Sequence, residues 1–118
     1  MKIDTFLRDK TYDFALRIIH LSQFLSAETK EDALREALVS SGTIIGARVR
    51  NIEFAQSTEE VSALINFCIG EAYQTKQTLT ILKEKGCIED LILNTMMADL
   101  EEIIDLLQQI TIEATEEN

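Results

Sequence analysis

Apolar residues recur at intervals of three and four along nearly the whole chain, and no stretch shows convincing two-residue alternation. The first segment, about residues 3–25, carries a stripe through Leu7, Phe14, Ile18, Leu21 and Leu25. A second, about 30–56, repeats through Leu34, Leu38, Ser41, Ile45, Val49 and Ile52. The third, about 58–85, passes through Val61, Leu64, Ile65, Cys68, Ala72, Thr75, Leu79 and Leu82. The fourth, about 89–111, carries Ile92, Met96, Ile103, Leu107 and Ile110 and leaves an acidic tail at 112–118. Each of these periods is that of a helix with one buried face.

Punctuation agrees with the periodicity. Ser57-Thr58-Glu59-Glu60 reads as a capping box for the third helix; Ser26 or Thr29 can cap the second, and Thr29 followed by Asp32 resembles a box. Lys85-Gly86 reads as a helix stop, with a cation near the last carbonyls and a glycine able to turn left-handed. The 118-residue chain has no proline and four glycines, which favours long helices joined by short turns. The expected fold class is all-α, an antiparallel up-down-up-down four-helix bundle occupying residues 1–118 as one domain.

Helix four is more apolar than one seam requires. Leu93, Met97, Leu100 and Ile104 form a second stripe beside the first, and the expectation is that they serve a subunit interface. Close packing is expected elsewhere, in the run Val39-Ser40-Ser41-Gly42-Thr43-Ile44-Ile45-Gly46-Ala47-Arg48-Val49-Arg50. A glycine inside a helix costs roughly 1 kcal/mol relative to alanine, so close backbone approach must compensate. If helices two and three turn near Gln56 and Ser57, Gly46 lies level with Phe67, and Gly70 with Thr43. If helix one turns near Glu28, Phe14 lies level with Gly42. Phe14 and Phe67 would then fill the hollows left by Gly42 and Gly46, with Gly70 adding to the close approach, and Gly46→Leu would overpack the core.

Charge narrows the classes of function. Of 21 acids, nine fall after residue 88, where there is no lysine or arginine; the twelve before it nearly balance all eleven basic residues. The net charge of −10 therefore belongs mainly to the last helix and tail, and it disfavours nucleic acid as a partner. The first three helices remain free to present cations, and Arg8, Lys10, Arg17, Arg48 and Arg50 are the candidates for contact with an anion or partner. Arg48 and Arg50 are about 200° apart on one helix and cannot form a single patch. Arg48 lies on or beside the apolar stripe, at the height of Asp9 and about a turn from Asp105, as an arginine reaching from the core edge to a carboxylate would.

Candidate chemistry is sparse. The single histidine, His20, has Arg17 and Gln23 three positions away instead of glutamates, so the carboxylate-histidine pairs of di-metal bundles are missing. Glu101, Glu102 and Asp105 share one helix without a matching pair on another core stripe. Cys68 reads as a small core residue, and Cys87 as a turn residue with no histidine to activate it. No catalytic residue, metal or cofactor is expected. The charged start, with Lys2, Asp4 and Arg8 around few apolar residues, does not form a signal peptide, and no run approaches the roughly 20 apolar residues of a membrane span. A cytoplasmic protein without membrane contact is expected.

The pattern Tyr12-Asp13-Phe14-Ala15, then Ser40-Ser41-Gly42-Thr43-Ile44-Ile45-Gly46-Ala47, then Phe67-Cys68-Ile69-Gly70-Glu71-Ala72 through Thr75 and Leu79 to the Gly86 turn, resembles a known family. It is similar to the four-helix-bundle proteins encoded in intervening sequences of bacterial 23S rRNA genes, over about residues 6–110. Relatives include the accessory variability proteins of diversity-generating retroelements. The resemblance implies a homopentamer with no catalytic activity, whose specific role and protein partner are unknown. In the retroelement branch it implies binding to a reverse transcriptase and to nucleic acid through basic surfaces. Here Arg48-Val49-Arg50 follows Gly46-Ala47 where the family commonly has Asn-Ile and Glu-Gly, glutamates usual near Gln74 and Lys76 are missing, and the strong positive charge is absent.

Overall fold

The computed structural model describes Ile3 and residues 5–116, so Met1, Lys2, Asp4 and the last two residues of the acidic tail lie outside the described residues. Four helices follow one another: α1 (Thr5–Glu28), α2 (Asp32–Ile52), α3 (Thr58–Glu84) and α4 (Asp90–Glu116). Each packs against its neighbour in sequence, and α4 returns to α1, which closes a square whose diagonal backbones do not approach closely among the described residues. The molecule measures 49 × 20 × 20 Å, the outline of an antiparallel bundle one helix long and two helices wide.

The core is the sum of the inward stripes. Phe14, Ile18 and Leu25 of α1, Leu38, Ile45 and Ile52 of α2, Ile65, Leu79 and Leu82 of α3, and Leu100, Ile103 and Leu107 of α4 are all at most 2% exposed. Thr11, Ser41, Thr75 and Thr78 are also buried, each with its hydroxyl donating to a carbonyl of its own helix one turn back. No buried side-chain oxygen or nitrogen is left without a hydrogen bond among the described residues, which removes the usual cost of polar burial.

The connections depart from expectation where local capping is strongest. Ser57 Oγ accepts from the Glu60 N–H at 3.1 Å, and the Glu60 carboxylate reaches back to the Gln56 N–H at 2.8 Å, so α3 is capped from both sides. The chain leaves α2 at Ile52, four residues before the expected end, to make that cap. Thr29 does not cap α2. Its hydroxyl donates to the Leu25 carbonyl at 3.0 Å, which carries α1 on to Glu28, and α2 begins at Asp32 with no side-chain cap on its first N–H groups. At Gly86 the backbone is left-handed, φ 76°, with Cys87 N–H bonded to Leu82 C=O and Gly86 N–H to Lys83 C=O. This is the paired hydrogen-bond pattern of a Schellman C-cap. The expected tail beginning at 112 instead continues α4, because Ala114 at 4% exposure still packs on the core.

Candidate interaction surfaces

The small-residue run does bring two backbones together, with different partners from those expected. Gly42 is buried, and a Cβ there would lie 2.9 Å from Ile18 Cγ1; one at Gly46 would lie 3.6 Å from the Thr11 carbonyl oxygen. The partner of Gly42 is Ile18 and not Phe14, because the α1–α2 turn is centred near Lys30 instead of Glu28 and slides the heights by one helical turn. Phe14 is a core residue at 2% exposure. Phe67 fills no hollow at all. Gly46 faces α1, on the side of α2 away from α3, so Phe67 stays 42% exposed. Gly70 is exposed, with nothing within 4 Å of where its Cβ would be.

The second stripe on α4 is also not an outer face. Leu100 and Ile104 are 0% and 5% exposed, and Leu93 and Met97 are partly buried against the same core. The reason is geometric. α4 fills the gap between α3 and α1, so its inward arc must touch two helices and spans both stripes. Among the described residues α1 carries five of the ten exposed large apolar side chains, Phe6, Tyr12, Leu16, Ile19 and Phe24; the others, Phe54, Phe67, Tyr73, Leu91 and Ile112, are spread over the rest of the bundle. Tyr12, Leu16 and Ile19 follow one another at steps of four and three, a single ridge facing away from the core.

The five candidate cations separate into two kinds. Lys10 Nζ lies 3.3 Å from Asp99 Oδ1 and 2.9 Å from Glu102 Oε2, and Arg17 Nη1 lies 2.6 Å from Asp99 Oδ2. Burial disfavours the Lys10 ammonium, but its hydrogen bonds to Glu102 and Asp99 outweigh that and hold it above its ordinary pKa. Arg8 lies 3.6 Å from Glu53 Oε1. These three are already neutralised. Arg48 and Arg50 are exposed and pair with no carboxylate among the described residues; each instead lies over an aromatic ring of a neighbouring helix, Arg48 over Phe67 at 5.5 Å and Arg50 over Tyr12 at 5.9 Å. The structure therefore does not gather the five into one basic patch, and Arg48 meets neither Asp9 nor Asp105.

Sequence reasoning missed Asp99 as the residue that ties α1 to α4. Its partners sit 82 and 89 positions away, and an acid among nine acids carries no local mark. On either side of the Asp99–Arg17 pair the α1–α4 seam opens into two hollows. One, of about 170 Å³, is lined by Phe6, Asp9, Lys10, Asp13, Phe14, Arg17 and Asp99. The other, of about 390 Å³, is mostly apolar, with Leu21, Leu91, Ile92 and Met96 beside Arg17, His20 and Thr95. A third, polar cleft of about 310 Å³ lies between α2 and α3 along Ser40, Ser41, Glu71, Gln74 and Thr78. Beneath it the Thr75 hydroxyl lies 2.8 Å from Ser41 Oγ as well as from the Glu71 carbonyl, so its one proton is shared between them and links the two helices.

Cys68 is fully buried with its sulfur 3.8 Å from the Ile45 carbonyl, and burial pushes its thiol up to about 11, against the opposing pull of Arg48 and with a smaller push from Glu71. Among the described residues no three His, Cys, Asp or Glu side chains cluster to hold a metal ion, and no helix is long and apolar enough to cross a membrane.

No family model matches the chain, and no curated protein matches it. Among solved structures it is similar to a protein of unknown function from the S23 ribosomal protein family of Bacteroides thetaiotaomicron, with 34% identity and a TM-score of 0.85. The similarity covers 89% of this chain and 97% of that one.

Proposed function

This chain belongs to the S23 ribosomal protein family, and from that premise we propose that it acts as a non-enzymatic interaction bundle that assembles with copies of itself. The observation that carries the reading is the outward ridge Tyr12, Leu16 and Ile19, 52%, 39% and 37% exposed on the face of α1 opposite the core. An apolar ridge turned away from the core favours burial against another chain. The number of copies, five, follows the resemblance to the intervening-sequence bundles, and a cytoplasmic setting is part of the same proposal.

Light scattering at physiological salt tests this directly. The expected mass is five times that of the 13.4 kDa chain, falling to one copy in the Leu16→Asp/Ile19→Asp variant with its helical circular dichroism unchanged. A wild-type mass of one copy at micromolar concentration would rule the assembly out.

A second reading, a nucleic-acid- and reverse-transcriptase-binding accessory of a retroelement, is favoured by Arg48 and Arg50 alone. They flank the outer face of α2, have no carboxylate partner among the described residues, and set their guanidinium groups over aromatic rings, a surface suited to stacked bases and phosphate. Gel-shift assays at low salt decide it, since phosphate contacts are strongest there. This reading requires a shift that Arg48→Ala/Arg50→Ala removes.

A further inference from the structure

We infer that the seam between α1 and α4 is a docking groove for a basic amphipathic helix of a different protein. α1 packs against α4 over fewer residues than against α2, and on either side of the Arg17–Asp99 pair the outer part of this seam opens into a hollow. At the end formed by the start of α4 the opening is the 390 Å³ hollow, floored by Leu21, Ile92 and Met96 and flanked by Leu91, which is 75% exposed. That volume accommodates a large apolar anchor side chain. About two helical turns along α1, or roughly 12 Å at 1.5 Å per residue, the lining of the other hollow carries three carboxylates, Asp9, Asp13 and Asp99, beside Lys10, Arg17 and two phenylalanines.

Charge decides the occupant. In that second hollow Lys10 and Arg17 are already held by Asp99 and Glu102, whereas Asp9 and Asp13 form no ion pair among the described residues. Asp9 and Asp13 are one turn apart on α1, so they present a doubled negative site on one face. A second copy of this chain, itself at −10 and without a lysine or arginine after residue 88, brings the wrong charge for this groove. The fitting partner is a helix with apolar residues at three- and four-residue spacing at one end and lysine or arginine on the same face two turns away. This groove lies on a different side of α1 from Tyr12, Leu16 and Ile19, so self-assembly and docking can coexist.

The test uses the full chain labelled at its methionine methyl groups, with a synthetic peptide of about 18 residues built to that pattern, and a twin with glutamate in place of lysine. Met96 lines the hollow and Met97 does not, so the lysine peptide is expected to shift the Met96 methyl resonance and leave Met97 in place. In fluorescence anisotropy the same peptide should bind, and Leu91→Asp and Asp9→Lys/Asp13→Lys should each weaken it at least about tenfold. The exposed control Glu36→Lys/Glu113→Lys should weaken it far less. Equal binding of the glutamate twin, or equal loss in the control, would overturn the inference, because either would mean attraction without a site. A fall in oligomer mass in Leu91→Asp or Asp9→Lys/Asp13→Lys would overturn it in another way, by identifying the occupant as a second copy. The Leu16→Asp/Ile19→Asp variant should keep peptide binding, so failure of self-assembly leaves this result separately readable.

Discussion

Adding one methyl group should have opposite effects at two glycines of this chain. At Gly42 the new Cβ would press into the body of Ile18, 2.9 Å from Cγ1, inside a closely packed core. At Gly70 it would meet nothing within 4 Å. Gly42→Ala is therefore expected to destabilise by about 1–3 kcal/mol through overpacking, after the gain in helix propensity is set against it. Gly70→Ala should stabilise by about 0.5–1 kcal/mol, because alanine loses less backbone freedom on folding. Urea unfolding of the two variants checks the sign of each, and a stabilised Gly42→Ala would mean that α1 yields more readily than its packing indicates. Cys68 supplies a second residue-level expectation. Its buried thiol keeps its proton to about 11 in the folded chain but loses it near the ordinary 9.0 when unfolded, so the unfolded state binds fewer protons in between. Stability should then fall as pH rises from 9 towards 11, and Cys68→Ala should flatten that part of the curve relative to wild type.

Between elements, the weakest join is the one that Asp99 holds. Its carboxylate, only 17% exposed, receives both Lys10 and Arg17 and so carries much of the polar contact between α1 and α4. Asp99→Asn keeps the shape and removes the charge. The expected cost is about 1–2 kcal/mol, reduced at high salt, with amide exchange accelerated in α1 and α4 before α2 and α3. Uniform acceleration across all four helices would show that the bundle opens only as a whole. Asp99 also marks where sequence reading stops. The four helices were legible because a 3.6-residue period repeats over many turns, and the Ser57 and Gly86 boundaries because their chemistry is local. Height matching along α2 and α3 was legible too, since Cys68 does meet Ile45. The rotation of each helix about its own axis was not. That rotation decides whether Phe67 covers Gly46 or lies beneath Arg48, whether Leu100 and Ile104 face a neighbour or the core, and which acid meets Lys10. It depends on all four helices together, and a turn shifted by two residues at Lys30 is enough to move Gly42 from Phe14 to Ile18.

Across the whole molecule, charge and apolar surface oppose each other in a way that salt can separate. Each copy carries −10, so gathering five copies brings fifty negative charges together, while the ridge of Tyr12, Leu16 and Ile19 favours their contact. The Debye length falls from about 30 Å at 0.01 M salt to about 8 Å at 0.15 M, so repulsion between whole subunits is felt at the first and largely screened at the second. Apolar burial is not weakened by the added salt. Self-assembly through α1 is therefore expected to strengthen as salt rises, with sedimentation showing a shift from single chains towards the ring between those two concentrations. Contact with nucleic acid through Arg48 and Arg50, or of a basic helix with Asp9 and Asp13, must weaken over the same range, because both rest on attraction between opposite charges. One salt series read by mass and by binding thus assigns the surfaces separately. An oligomer that falls apart as salt is added would move the interface from the apolar ridge of α1 to a pairing of charges.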